Sequence, residues 1–160
     1  DPSAFLTTMF DLYRLPQDFP GMSEAQVSRH VYEKVAFLEQ AFFADIQHPH
    51  FIPYLQLHEF EALLFSDIAV IDAILKIYTR RSRHSQLKKI RNAFQTPEEI
   101  NDGQETAPSK RLYKLYPSYR KPTFGIRIAL EIGLETILQE CPHFRQWLEK
   151  LLSLPKRVHA

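Results

Sequence analysis

The sequence predicts a helix-rich α/β fold, a single domain over residues 1–160, and three observations predict it. Residues 5–12 and 51–57 are runs of aromatic and β-branched side chains of strand length. Elsewhere apolar residues recur at spacings of three and four, the period of helices that bury one face. With 160 residues, 44% of them apolar and 12% aromatic, the chain has material for one substantial core.

The first strand ends at Asp11, and a loop stiffened by Pro16 and Pro20 and closed by Gly21 follows it. Ser23, with Gln26 three residues on, forms a capping-box pattern. A helix is therefore predicted over 24–46, with a stripe of Val27, Val31, Val35, Leu38, Phe42 and Ile46. Pro53 inside the second strand marks an edge or a bulge, because proline has no N–H for the ladder. A helix is predicted from Glu59 to Phe65. A second, capped by Ser66 or Asp67, carries Ile68, Ile71, Ile74, Leu75 and Tyr78. Basic residues at 80–84 break the pattern before a helix near 84–94. Residues 96–107 are polar and turn-rich, with Pro97 opening a helical turn. Pro108 suits a first helical position, and a helix runs from it through Leu115. Residues 116–122 read as a loop, 124–138 as a helix in which Gly133 is either tolerated or makes a kink, and Pro142 opens a last helix. Two strands alone make a marginal sheet. Asp1-Pro2-Ser3 lead straight into the first of them, so further sheet is expected upstream.

No run approaches the roughly 18 apolar residues that span a bilayer, and no signal-peptide pattern opens the chain. The single cysteine, Cys141, can form no internal disulfide and belongs to no zinc pattern, so it reads as core in a reducing, cytoplasmic setting. The net charge of +1 conceals a separation. Residues 1–75 hold 3 Lys/Arg against 11 Asp/Glu, whereas residues 76–121 hold 12 against 4. Such a pattern predicts an acidic site in one part of the fold and an anion-facing segment in another. Pairing of the two halves across the surface accounts for the same counts.

The most informative stretch runs from Phe51 to Asp67. There His58-Glu59-Phe60-Glu61 is wedged between two apolar runs, although removing a charge from water is costly unless it is paired. Strand ends in α/β sheets are where ligands and metals bind. In a helix His58 and Glu61 share a face while Glu59 points elsewhere. Glu61 would then ligate a metal, and His58 would orient it or relay a proton. The plainer alternative is that both glutamates decorate a helix N-terminus. Asp11 ends the first strand and Asp18 lies in the loop after it. Carboxylates there suit Mg²⁺, which takes one or two of them with water and phosphate oxygens, although aspartate is also a common turn former. Glu39, beside the stripe of the long helix, either faces the same region or pairs with a base. Ser109, Lys110 and Arg111 open a helix; cations there oppose its dipole, and a bound phosphate would compensate. Arg80, Arg81, Arg83, Lys88, Lys89 and Arg91 would follow a phosphate backbone. Solvated basic faces are the alternative for both groups.

Four strings then stand in order: TMFDLYRLPQDFPG at 8–21, PYLQLHEFEALLF at 53–65, APSKRL at 107–112 and CPHF at 141–144. Together they resemble a bacterial Toprim-like domain-of-unknown-function family, whose genes often neighbour those of AAA or SMC-type ATPases. The resemblance covers nearly the whole chain. Toprim domains occur in topoisomerases, primases and overcoming-lysogenization-defect nucleases, with a parallel sheet flanked by helices and an acidic cluster that binds Mg²⁺. The resemblance implies a Mg²⁺-dependent nuclease-like subunit that acts on nucleic acid with a partner ATPase, in phage defence. It implies metal-binding roles for Asp11, Glu59 and Glu61, and a transition-state role for Lys110. Two departures stand out. The family's first strand and helix, with a glutamate near glycine, are expected upstream of Asp1. A compact Asp-x-Asp is missing, since Tyr13 stands at its second position and Arg14 where glycine is expected. The alternative is a non-catalytic module whose basic segment docks nucleic acid or the ATPase.

Overall fold

The structure is a computed structural model and describes residues 4–26, 30–101 and 105–155. Two parallel strand pairs lie end to end. β1 (Leu6–Thr7) pairs with β3 (Phe51–Ile52), and β2 (Phe10–Asp11) pairs with β4 (Leu55–Gln56), with Phe10 opposite Leu55 and Asp11 opposite Gln56. Each predicted strand is thus broken once, and in the second the break falls at Pro53. Proline brings no N–H to the ladder. Thr8 bridges the gap, its Oγ1 accepting from the Tyr54 N–H at 3.1 Å. The pairing runs on beyond the strands, where the Tyr13 N–H donates to the His58 carbonyl at 3.1 Å. The C-terminal ends of β2 and β4 are therefore held side by side.

Helix α1 (Val31–Ile46) starts later than predicted. Residues 24–26 form a separate 3₁₀ turn, and Ser23 donates its hydroxyl to Glu24. Val27, predicted in the stripe, lies outside the described residues. Val35 and Leu38 are fully buried in one cluster with Leu55 and Leu57, and Phe42 meets Phe51 edge-on at 5.0 Å. Gly21, at φ 78°, lets the preceding loop press on α1. A Cβ there would lie 2.8 Å from the Ala41 Cβ.

The helices α2 (Glu61–Leu64), α3 (Ile68–Thr79), α4 (His84–Arg91), α5 (Pro108–Leu115), α6 (Ile126–Ile132), α7 (Leu134–Glu140) and α8 (Pro142–Leu152) follow. Asp67 caps α3 by accepting from the Ala69 and Val70 N–H groups. The single helix predicted over 124–138 is two, because Gly133 at φ 80° ends α6 and begins α7; glycine enters that backbone region without steric cost. Ahead of α6, Lys121–Gly125 wind as a π turn.

The chain builds two apolar clusters. Leu57 belongs to the one under α1; Leu63, Leu64 and Phe65 belong to a larger one with Ile71, Leu75, Leu87, Leu112 and Ile128. Residues 58–61 join one to the other, so their charges are squeezed from both sides. In the larger cluster Asp72 ties three segments together. It accepts from Tyr116 Oη at 2.6 Å, Ser82 Oγ at 2.7 Å and the Arg83 N–H at 2.6 Å.

Burial opposes the charge of Asp72, but the Tyr116, Ser82 and Arg83 donors outweigh it and hold the carboxyl below its ordinary value of 3.8. A depressed carboxyl stabilises the fold above the unfolded value, and that contribution is lost as pH falls through the folded one. Asp72→Asn is expected to lower the unfolding free energy by about 1–3 kcal/mol at neutral pH. In urea titrations the gap to wild type should close as pH drops below 3.8. A gap independent of pH would contradict the assignment.

Candidate functional site

The corner after β4 is shaped by the backbone. His58 takes φ 61°, in the left-handed region, and α2 begins only at Glu61. Asp11 Oδ1, at the end of β2, accepts the Phe60 N–H at 3.1 Å. It does from a neighbouring strand what a capping side chain does from within its own helix. Because residues 58–60 are not helical, the predicted grouping is rearranged. His58 Nδ1 lies 3.0 Å from Asn101 Nδ2, while Glu59 and Glu61, expected to diverge, both reach the ammonium of Lys121.

Lys121 Nζ lies 2.6 Å from Glu59 Oε2 and 2.9 Å from Glu61 Oε2. The glutamate side chains are 3% exposed, that of Lys121 49%. Glu59 also accepts the N–H and the hydroxyl of Ser109, the latter at 3.0 Å, in the first turn of α5. Glu61 Oε1 accepts from Tyr119 Oη at 3.3 Å. Burial lifts the Glu61 carboxyl above its ordinary 4.5, an effect that Lys121 opposes and Glu59 reinforces. Burial likewise lifts Asp11 above 3.8, against the Phe60 N–H and Lys121 and together with Glu59. Lys121 loses hydration on burial, but its bonds to both glutamates outweigh this and raise it above 10.5.

Of the other residues singled out in the sequence, Asp18 sits on an exposed turn. Lys110 is exposed on α5, and the cation in contact with the glutamates is Lys121. The anion at the start of α5 is the Glu59 side chain, which meets the compensation predicted of a phosphate. Arg111 donates from Nε to the Thr106 carbonyl and lies 5.7 Å over the Phe94 ring. Arg80, Arg81, Lys88 and Lys89 are exposed, Arg83 bonds to Asp72 through its backbone, and Arg91 pairs with Glu140 at 2.7 Å. Glu39 accepts the Leu55 N–H at 2.8 Å and lies 3.0 Å from His143 Nε2. It lines a cleft of about 700 Å³ with Tyr54 and Trp147, and none of Asp11, Glu59, Glu61 or Lys121 borders that cleft. Cys141 is fully buried, its thiol pushed up to about 12 by burial.

The sequence reading missed Lys121. It fell in a segment read as loop, and its one trace was as the last cation of the basic stretch 76–121.

The family model described as Domain of unknown function (DUF4276) matches residues 1–152. The chain belongs to that family. The DUF4276 match spans every residue of the corner, from Asp11 to Lys121. No curated protein and no solved structure matches the chain. No described helix is long and apolar enough to cross a membrane.

Among the described residues no three His, Cys, Asp or Glu side chains form a ready-made metal cage. Two buried carboxylates, Glu59 and Glu61, instead converge on the Lys121 ammonium, which pairs with both.

Asp11→Ala deletes the acceptor of the Phe60 N–H and should cost about 1–2 kcal/mol. Asp11→Asn keeps an oxygen in place and should stay within about 0.5 kcal/mol of wild type. Chemical denaturation compares the two. Equal losses would mean that the charge, not the acceptor, holds the corner.

Proposed function

We propose that this chain carries the metal site of a Toprim-like, Mg²⁺-dependent nuclease that acts on nucleic-acid phosphodiesters with a partner ATPase, in phage defence. The observation that carries the reading is the meeting of Glu59 and Glu61 at one point, with Asp11 holding the same corner, at the C-terminal ends of parallel strands. Ligands of α/β folds bind at such ends. The donors are hard carboxylate oxygens, the type that Mg²⁺ selects. Glu59 and Glu61 bring two negative charges to that point, which the one contacting ammonium balances by half and a divalent cation in its place would balance in full. The sequence motifs support the Toprim-like part, and the ATPase and the defence setting follow from the same resemblance.

Glu59 and Glu61 would hold the ion, with Asp11 adjoining. When bound, Mg²⁺ supplies charge stabilisation at a phosphoryl oxygen and a more acidic water. The chain's own groups prepare the site. Ser109 and the first turn of α5 fix the Glu59 carboxylate, Tyr119 fixes Glu61, and Asp11 fixes the turn between them. The exposed cations Arg80, Arg81, Lys88, Lys89 and Lys110 would attract a phosphate backbone.

A second reading has its own observation. Lys121 already pairs with both glutamates, and no three-ligand cage is present among the described residues. The acids would then be structural, and the basic segment would dock nucleic acid or the ATPase.

Plasmid nicking separates the two. Glu61→Gln should reduce Mg²⁺-dependent nicking at least about 100-fold while the circular dichroism spectrum stays that of wild type; undiminished nicking would remove Glu61 from the mechanism. Lys110→Ala should weaken DNA binding and make its salt dependence shallower by about one unit of slope. An unchanged slope would mean that Lys110 touches no phosphate.

A further inference from the structure

We propose that the cleft between α1 and α8 binds a small basic amino acid of the arginine type, its guanidinium on Glu39 and its α-carboxylate on Lys150. The cleft encloses about 700 Å³, within the range of small-molecule sites. It shares no residue with the Asp11–Lys121 corner, so either can fail without the other. At its floor the N–H and C=O of Leu55, on β4, meet side chains instead of another strand. Glu39 Oε1 accepts the Leu55 N–H at 2.8 Å. His143 Nε2 lies 3.0 Å from the same oxygen and 3.2 Å from the Leu55 carbonyl. Both of those neighbours are acceptors, so that nitrogen carries a hydrogen, which a neutral imidazole can supply. Both bonds to Glu39 fall on Oε1. Among the described residues Oε2 has no hydrogen-bond partner, and no lysine or arginine pairs with Glu39. The side chain is nevertheless only 17% exposed. A carboxylate so far out of water calls for a cation.

The walls select an organic one. Tyr54 is stacked on Trp147 with ring centroids 4.5 Å apart, and Phe43, 42% exposed, lines the α1 side. Aromatic faces attract organic cations, and a planar guanidinium both stacks on them and donates to a carboxylate. Lys150 sets the other end. It lies two turns beyond His143 on α8, about 10 Å along the axis. It lines the same cleft and makes no ion pair among the described residues. Between the two, the Gln146 amide makes no hydrogen bond there and is available to an α-ammonium. Arginine carries a cation and a carboxylate at opposite ends of an apolar stem, which matches this order of groups.

Trp147 is the one tryptophan of the chain, so its fluorescence reports on this cleft. Titration of wild type with L-arginine should give a saturable change with a Kd below about 1 mM. L-Citrulline, an uncharged copy of arginine, and agmatine, which lacks the carboxylate, should each bind at least about tenfold more weakly. That comparison needs no variant to fold. Glu39→Gln should lose arginine binding, and Lys150→Met should bind arginine and agmatine alike. No saturable response to arginine, citrulline bound as tightly as arginine, or arginine still bound by Glu39→Gln would each overturn the proposal. A preference for arginine over agmatine that survived in Lys150→Met would overturn the place given to Lys150.

Discussion

Two glutamates that have left water share one lysine, and the rest of this fold is arranged around that shortage of positive charge. Glu59 and Glu61 lie where the cluster beneath α1 meets the larger helical cluster. Neither can regain water without parting the two. A buried carboxylate that loses its partner costs about 3–5 kcal/mol, so each element touching the pair is held to its place. The start of α5 is fixed by Ser109, the segment before α6 by Tyr119 and Lys121, and the end of β2 by Asp11. Lys121 is half in solvent and its attraction is correspondingly screened. Burial therefore still lifts the Glu61 carboxyl above its ordinary value, against the pull of Lys121.

A fold built for stability alone would put apolar side chains at 59 and 61, since well-packed hydrophobic residues commonly replace buried ion pairs without loss. Departures from local rules concentrate at working sites. The left-handed backbone at His58 and the π turn at Lys121–Gly125 fall on the same corner and are features of the same kind. The corner also lies apart from the cleft lined by Glu39, Tyr54 and Trp147. The chemistry of the donors, rather than the volume of a cavity, marks it out.

Much of the fold was legible because its signals are local. Pro108 and Pro142 open helices, Asp67 caps one, and Pro53 interrupts a strand, each through the missing N–H of proline or the reach of a short acceptor. The division at Gly133 was harder to see, because apolar spacing continues across it from Ile132 to Leu134. At the site the wedged carboxylates were visible as a conflict of patterning. Their geometry was not. Helical spacing groups His58 with Glu61, but Asp11 pins the Phe60 N–H from a strand about 50 residues away and delays the helix. Lys121 is separated from Glu61 by a long stretch of chain and by several helices, so no window of sequence contains the contact.

A crystal grown with Mn²⁺ and measured near the manganese absorption edge tests the central claim most directly. The account predicts an anomalous peak within about 2.0–2.3 Å of a carboxylate oxygen from each of Glu59 and Glu61, with the Lys121 ammonium withdrawn toward solvent. Manganese bound elsewhere, with Lys121 still lying between the two glutamates, would contradict it.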